Sequence, residues 1–153
     1  MKDLTLGPDA VEWLGTQYLP ILTTAETDGA MSITDSVSPP ASGPPRHIHH
    51  DADEAFVVLT GDVEFWLEGE SFLRGPGQTA FIPRGREHTF RIVGVKPSRH
   101  LIILTPGGFE GFFADMARGA FRIPEDMAQI EESAKRHQLS FTGPPLGAEE
   151  DAS

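Results

Sequence analysis

The sequence has no cysteine, which excludes a disulfide scaffold, Cys-ligated zinc and a thiol nucleophile. It is poor in positive charge: 12 Lys and Arg stand against 23 Asp and Glu, a formal net charge of −11. A surface this acidic repels phosphate backbones and anionic lipid, so neither nucleic acid nor a membrane surface is expected as a partner. No run approaches the ~18 consecutive apolar residues that a bilayer-spanning helix needs. The opening Met1 to Pro8 lacks the apolar stretch of a signal peptide, and the expectation is a cytoplasmic protein.

Turn-forming residues are plentiful instead. With 16 glycines and 13 prolines among 153 residues, these two types make up roughly a fifth of the chain, against about 12% in average usage. That excess predicts many turns and short strands, and the length predicts one domain with a genuine core. The expected organisation is a flexible N-terminal arm over 1–12, a domain over 13–145 and a disordered acidic tail over 146–153 containing Glu149, Glu150 and Asp151.

Short apolar runs alternate with turn signals. Strands are expected over 18–24, 31–37, 46–49, 55–59, 63–67, 79–82, 88–93 and 100–104. Gly61-Asp62 reads as a hairpin turn, and the proline-rich stretch from Ser38 to Pro45 as a loop, because proline removes ladder donors. After Pro106 the period changes to that of a helix, with Phe109, Phe112, Phe113 and Met116 on one face; a second helix follows from Pro124 to about His137. Strands followed by helices without alternation predict an all-β, closed antiparallel architecture with C-terminal helical segments.

Histidine is concentrated in one place. His47 and His49, two residues apart on a strand, share a face and lie about 7 Å apart along the chain. Glu54 opens the next strand in phase with Phe56 and Val58, and His88 opens a later one. Three imidazoles and one carboxylate from separate strands make a divalent-metal site with positions left open. A plainer alternative is a barrel in which the same four side chains only hydrogen-bond each other. His50 has the opposite parity and is expected to face outward; His100 reads as an ordinary strand residue and His137 as solvated.

The spacing His47-x-His49-x4-Glu54-x6-Gly61, followed by Gly77-x5-Pro83-x-Gly85-x2-His88, resembles the two motifs of the cupin superfamily. The stretches from Gly43 to His50 and from Glu54 to Gly61, with Gly107-Gly108-Phe109-Glu110 and Phe112-Phe113, are similar to small single-domain cupins of the quercetin 2,3-dioxygenase type. Ala41 stands where the first motif's leading glycine would fall, and Ile92 where an asparagine often closes the second.

The resemblance implies an antiparallel jelly-roll barrel and one divalent first-row transition metal per chain (Fe, Ni, Mn, Co or Zn) on His47, His49, Glu54 and His88. It further implies a dioxygenase acting with dioxygen on a flavonol-like or other enolic or phenolic small molecule, with Glu54 as the catalytic proton acceptor. The alternatives are a non-redox, polyketide-cyclase-like cyclase or isomerase, and a small-molecule-binding protein without turnover. Phe56, Phe65, Phe81, Phe90, Phe109 and Phe112 are candidates for an aromatic substrate pocket, although filling a small barrel is the ordinary role of such residues. Trp66 alternates away from Phe65 and Leu67, so it is expected on the outside, covered by the segment around Val11, Trp13 and Leu14 or by the second subunit of a homodimer.

Overall fold

A computed structural model describes residues 5–148. Glu149, Glu150 and Asp151 of the expected acidic tail lie outside the described residues, as do residues 1–4.

The chain runs β1 (Val11–Trp13), β2 (Thr16–Leu22), β3 (Ser32–Ser38), β4 (Pro45–His49), β5 (Asp53–Thr60), β6 (Asp62–Leu67), β7 (Glu70–Arg74), β8 (Thr79–Ile82), β9 (His88–Val93) and β10 (Ser98–Thr105). Helices α1 (Glu110–Gly119) and α2 (Met127–Arg136) follow, and strand β11 (Leu139–Pro145) closes the fold. One sheet has the order β1-β2-β3-β10-β5-β8 and the other β11-β4-β9-β6-β7. Neighbouring strands in both sheets pair antiparallel. This is the expected all-β jelly roll with helical segments near its C-terminus.

Alternation builds the core. Along β5, Glu54, Phe56 and Val58 are buried while Ala55 and Val57 are half-buried, so one face meets the opposite sheet. Val63, Phe65 and Ile92 face them from the opposite sheet and Leu104 lies beside them on β10, each nearly inaccessible. Burying such side chains contributes roughly 1.5–3 kcal/mol apiece. The β5–β6 hairpin turns at Gly61, whose φ of +77° is left-handed and where a Cβ would meet the Pro97 carbonyl. Helix α1 lays Phe112, Phe113 and Met116 against the end of the barrel. It is tied down by Glu110, whose carboxylate accepts from the Thr24 backbone N–H at 2.7 Å and hydroxyl at 2.6 Å.

Three strands escape the reading of the sequence. Strand β1 takes Val11 and Glu12 into pairing with Tyr18 and Gln17, so the boundary expected at residue 12 falls inside a strand. Strand β7 lies at a sheet edge and buries no residue completely, so it carries no sharp alternation. Strand β11 contains Gly143, Pro144 and Pro145, which read as loop. It forms because it is an edge strand with register shifts at Phe141/Gly143 and Gly143/Pro145, where missing donors are tolerated.

Candidate metal centre

His47 and His49 project from β4, His88 from its neighbour β9, and Glu54 from β5 of the opposing sheet. His47 and His88 are direct cross-strand partners. The period-two alternation therefore drives three imidazoles inward from one sheet to meet a carboxylate from the other. One ligating atom from each of the four lies within 4.8 Å of the rest, and all four residues are buried. Loop contacts hold the strands in place: the Gly85 N–H donates to the His49 carbonyl at 2.8 Å, and Asp53 accepts from the Arg84 backbone N–H at 2.9 Å.

The rings are oriented from behind. His47 Nδ1 donates to the Pro45 carbonyl at 2.7 Å and His88 Nδ1 to the Arg86 carbonyl at 2.9 Å, which turns each Nε2 toward the centre. His88 Nε2 lies 2.9 Å from Glu54 Oε1, and His49 Nε2 lies 3.6 Å from Oε2. Burial holds the His47 imidazole well below its ordinary range, reinforced by His88 and His49. Burial also lowers His49, against the attraction of Glu54. For Glu54 burial acts upward, but His49 and the hydrogen bond from His88 outweigh it and bring the carboxyl down to about 2. For His88 burial acts downward and is outweighed by that same hydrogen bond, so its value is raised.

The donor set fits a divalent first-row transition metal. Three nitrogen donors and one ionised oxygen suit Fe, Ni, Mn, Co or Zn, and neutral His47 and His49 offer lone pairs rather than protons. His88 has an acceptor at each ring nitrogen, a backbone carbonyl and a carboxylate. A cation beside Glu54 takes the place of the Nε2 proton there.

The cluster opens onto a cavity of about 320 Å³ between the sheets, whose wall includes His47, His49 and Glu54. Of the candidate aromatic residues, Phe56, Phe90, Phe109 and Phe112 line it. Phe109 meets His49 edge-on at 4.5 Å and stacks on Phe112 at 5.1 Å. Two candidate pocket residues are placed elsewhere. Phe81 is 59% exposed, because β8 turns Ala80 and Ile82 inward and Thr79 and Phe81 outward. Phe65 is buried, but in the core between Phe56 at 5.0 Å and Phe72 at 5.6 Å, off the cavity wall.

The cavity also takes residues that sequence reasoning did not assign to it. Trp13 closes over Phe112 edge-on at 6.0 Å and donates its indole N–H to the Phe121 carbonyl at 2.8 Å. Tyr18 stacks on Phe113 at 4.1 Å. Ser36 and Ser38 line the wall from β3. The one available signal was the alternation Ser32, Thr34, Ser36, Ser38, a strand face too small to fill a barrel.

His50 faces outward as expected, within 2.8 Å of the Ser140 hydroxyl. His100 is buried on β10, with Nδ1 3.1 Å from the Ser98 hydroxyl. His137, expected in solvent, is half-buried at the end of α2, where Nδ1 bonds the Ser133 carbonyl at 2.8 Å. Trp66 is half-buried on the outer face of its sheet. Within the chain its cover is not the N-terminal segment, which sits on the cavity, but the Arg46 guanidinium 4.6 Å above the ring. Arg46 is fixed in turn by donating to the Pro144 carbonyl at 2.6 Å.

Residues 36–104 match the family described as the cupin domain. The matched segment begins on β3 and ends on β10, and contains all four members of the cluster. The chain therefore carries a cupin domain over these residues. Among curated proteins, it is 29% identical over 87 residues to quercetin 2,3-dioxygenase of Bacillus subtilis (strain 168), a match covering 57% of the chain and 26% of that protein. The chain thus spans about a quarter of that relative's length. Among solved structures, KdgF from Halomonas sp. superposes with a TM-score of 0.61 at 19% identity, covering 68% of this chain and 93% of that one. The polyketide cyclase RemF from Streptomyces resistomycificus superposes with a TM-score of 0.53 at 24% identity, covering 69% and 79%. These two likenesses show a shared fold.

Ala41 adopts a left-handed φ of +67°, a backbone conformation that favours glycine. Gly43 has a different requirement: a Cβ there would collide with the Phe90 carbonyl oxygen.

Proposed function

We propose that this cupin-domain protein is a metal-dependent enzyme, and that it is a dioxygenase acting on a flavonol-like or other enolic or phenolic small molecule. The observation that carries the reading is the junction of the His/Glu cluster with an aromatic cavity of about 320 Å³, the size class of small-molecule sites. The similarity to a quercetin 2,3-dioxygenase over 87 residues supports the substrate class.

His47, His49, Glu54 and His88 hold the metal, which when bound supplies a Lewis-acidic and redox-active centre that lowers the pKa of a hydroxyl beside it. The chain's own residues do the rest. Phe109 and Phe112 hold the flat ring system and exclude water from the reacting end. Glu54, ionised and buried, accepts the proton of the enol or phenol. The carbonyls of Pro45 and Arg86 keep the His47 and His88 rings in register throughout.

The same reading takes the protein as a homodimer. The outer face of the six-stranded sheet supports it, since Ile33, Ile103, Ala55 and Phe81 follow one another across four strands. No helix among the described residues is long and apolar enough to cross a membrane.

The test loads the protein with iron, nickel, manganese, cobalt or zinc in turn, measures bound metal, and follows oxygen uptake with a flavonol panel. Uptake matching substrate loss is the expected result. Turnover without oxygen would replace the reading with a cyclase or isomerase, and tight binding with no turnover in any metal form with a binding protein.

A further inference from the structure

The four inward side chains of β3 are Ser32, Thr34, Ser36 and Ser38, each at most 2% exposed. Polar side chains on the inner face of a barrel strand are costly to bury unless hydrogen-bonded. Three buried side-chain atoms lack a protein partner among the described residues: Ser32 Oγ, and the neighbouring pair Ser36 Oγ and His100 Nε2. Ser36 and His100 are cross-strand partners on β3 and β10, so both face the space between the sheets. Ser36 lines the main cavity. His100 is not itself on that wall, but its ring packs 6.1 Å from Phe56 and 5.5 Å from Phe90, two rings that are.

Register places this pair relative to the metal cluster. His100 lies opposite Val58, whereas Glu54 lies opposite Leu104. One inward row, Thr34, Ile102 and Phe56, therefore lies between the pair and Glu54, which are about 13 Å apart along the strands. A single flat molecule of two or three rings spans that distance.

The charge at this end is equally informative. Among the described residues lining the cavity there is no Lys or Arg. His100 is neutral near pH 7, because burial outweighs the attraction of Glu54 and Asp35 and holds it down to about 4. A neutral imidazole nitrogen beside a serine hydroxyl offers a donor and an acceptor, the complement of a hydroxyl group. A carboxylate or phosphate would find no countercharge there.

We infer that Ser36 and His100 form a second subsite of the cavity, which binds an uncharged hydroxyl group at the far end of an aromatic ligand whose near end meets the His/Glu cluster. The assignment rests on the proposed aromatic substrate and adds its neutrality, its length and a distal hydroxyl. Ser36 and His100 thereby determine specificity without touching the reacting atoms.

The test uses two probe pairs, measured by isothermal titration calorimetry on the full chain with and without bound metal. The first is 3-hydroxyflavone against 3,4′-dihydroxyflavone, with the 4′-carboxylate analogue as the charged control. The second is biphenyl against 4-phenylphenol, which contains no enol. In each pair the hydroxylated member should bind about tenfold more tightly, the net effect of one buried hydrogen bond, and the carboxylate should bind more weakly than either flavone. In Ser36→Ala that preference should shrink to about twofold while biphenyl affinity is unchanged. The thermal midpoint should not fall, because Ser36 Oγ makes no protein hydrogen bond. His100→Gln should show a partial loss of the same preference. Equal affinities within both pairs, a preference that survives in Ser36→Ala, or tighter binding of the carboxylate would overturn the subsite. Flavonol turnover with equal affinities within both pairs leaves the dioxygenase reading standing and removes the subsite. A hydroxyl preference that depends on Ser36, without flavonol turnover in any metal form, does the reverse.

Discussion

Glu54 carries the largest share of the site's chemistry on one side chain. It is the one carboxylate in a buried group of three imidazoles, and its neighbours keep it ionised against the cost of burial. Glu54→Gln retains the shape and removes the charge and basicity. Its kcat should fall by about 100-fold or more, as for other proton acceptors, while part of the metal and the thermal midpoint are kept. Full activity in the metal-loaded variant would leave Glu54 a structural residue. The histidines set a pH dependence of stability in the metal-free protein. His47, His49 and His100 have folded values below the ordinary 6.5, so their contribution is complete above that pH and is lost on acidification, for His100 between 6.5 and about 4. Glu54 adds a loss between 4.5 and about 2. His88, raised, acts oppositely and loses its contribution as pH rises through its folded value. Three lowered groups outweigh one raised, so the urea midpoint should fall between pH 7 and pH 5; a rise would contradict the assignment.

Among elements, β11 has the least regular sequence and a large influence on the site. It pairs with β4, placing Leu139 opposite His49 and Phe141 opposite His47, and Leu139 is 5% exposed. Leu139→Ala should cost about 2–4 kcal/mol in a denaturant titration, the range for truncating a buried leucine. Because the backbone partner of His49 is loosened with it, metal affinity should fall as well, which a competitive chelator titration would report. A stability loss with no change in metal affinity would show that β4 holds its geometry through β9 alone. Strand β3 has the reverse character: its pairing with β10 runs without a register shift, and its function lies in small inward side chains that leave the cavity open.

At the scale of the whole molecule, the six-stranded sheet has an apolar outer face, with Phe81 at its β8 edge 59% exposed. Exposed apolar surface of this kind is ordinarily covered by a partner. Sedimentation at micromolar concentration should give a species of about twice 16.6 kDa. Phe81→Asp should return the protein to one chain without unfolding it, since the side chain takes no part in the core. A wild-type monomer would end the homodimer reading. Trp66, first expected at that interface, lies on the other sheet beneath Arg46 and should be insensitive to dissociation.

The sequence by itself determined the barrel and its cluster. Strand alternation is local: once Phe56 and Val58 point inward, Glu54 must too, and His47 and His49 share a face for the same reason. That His88 joins them was implied by the resemblance to the cupin motifs, and the β4–β9 pairing brings it there. What the tertiary structure alone decided is whatever depends on which neighbour a residue meets. Phe65 and Phe81 look alike in sequence to Phe56 and Phe90, yet one fills the core and the other faces outward. Parity assigns a face, whereas a cavity is defined by which facing side chains fail to reach each other. Arg46 over Trp66, β11 beside β4, and the Ser36–His100 pair join residues 20, 90 and 64 positions apart. Such distances in sequence leave no periodic trace, because only the folded register sets them.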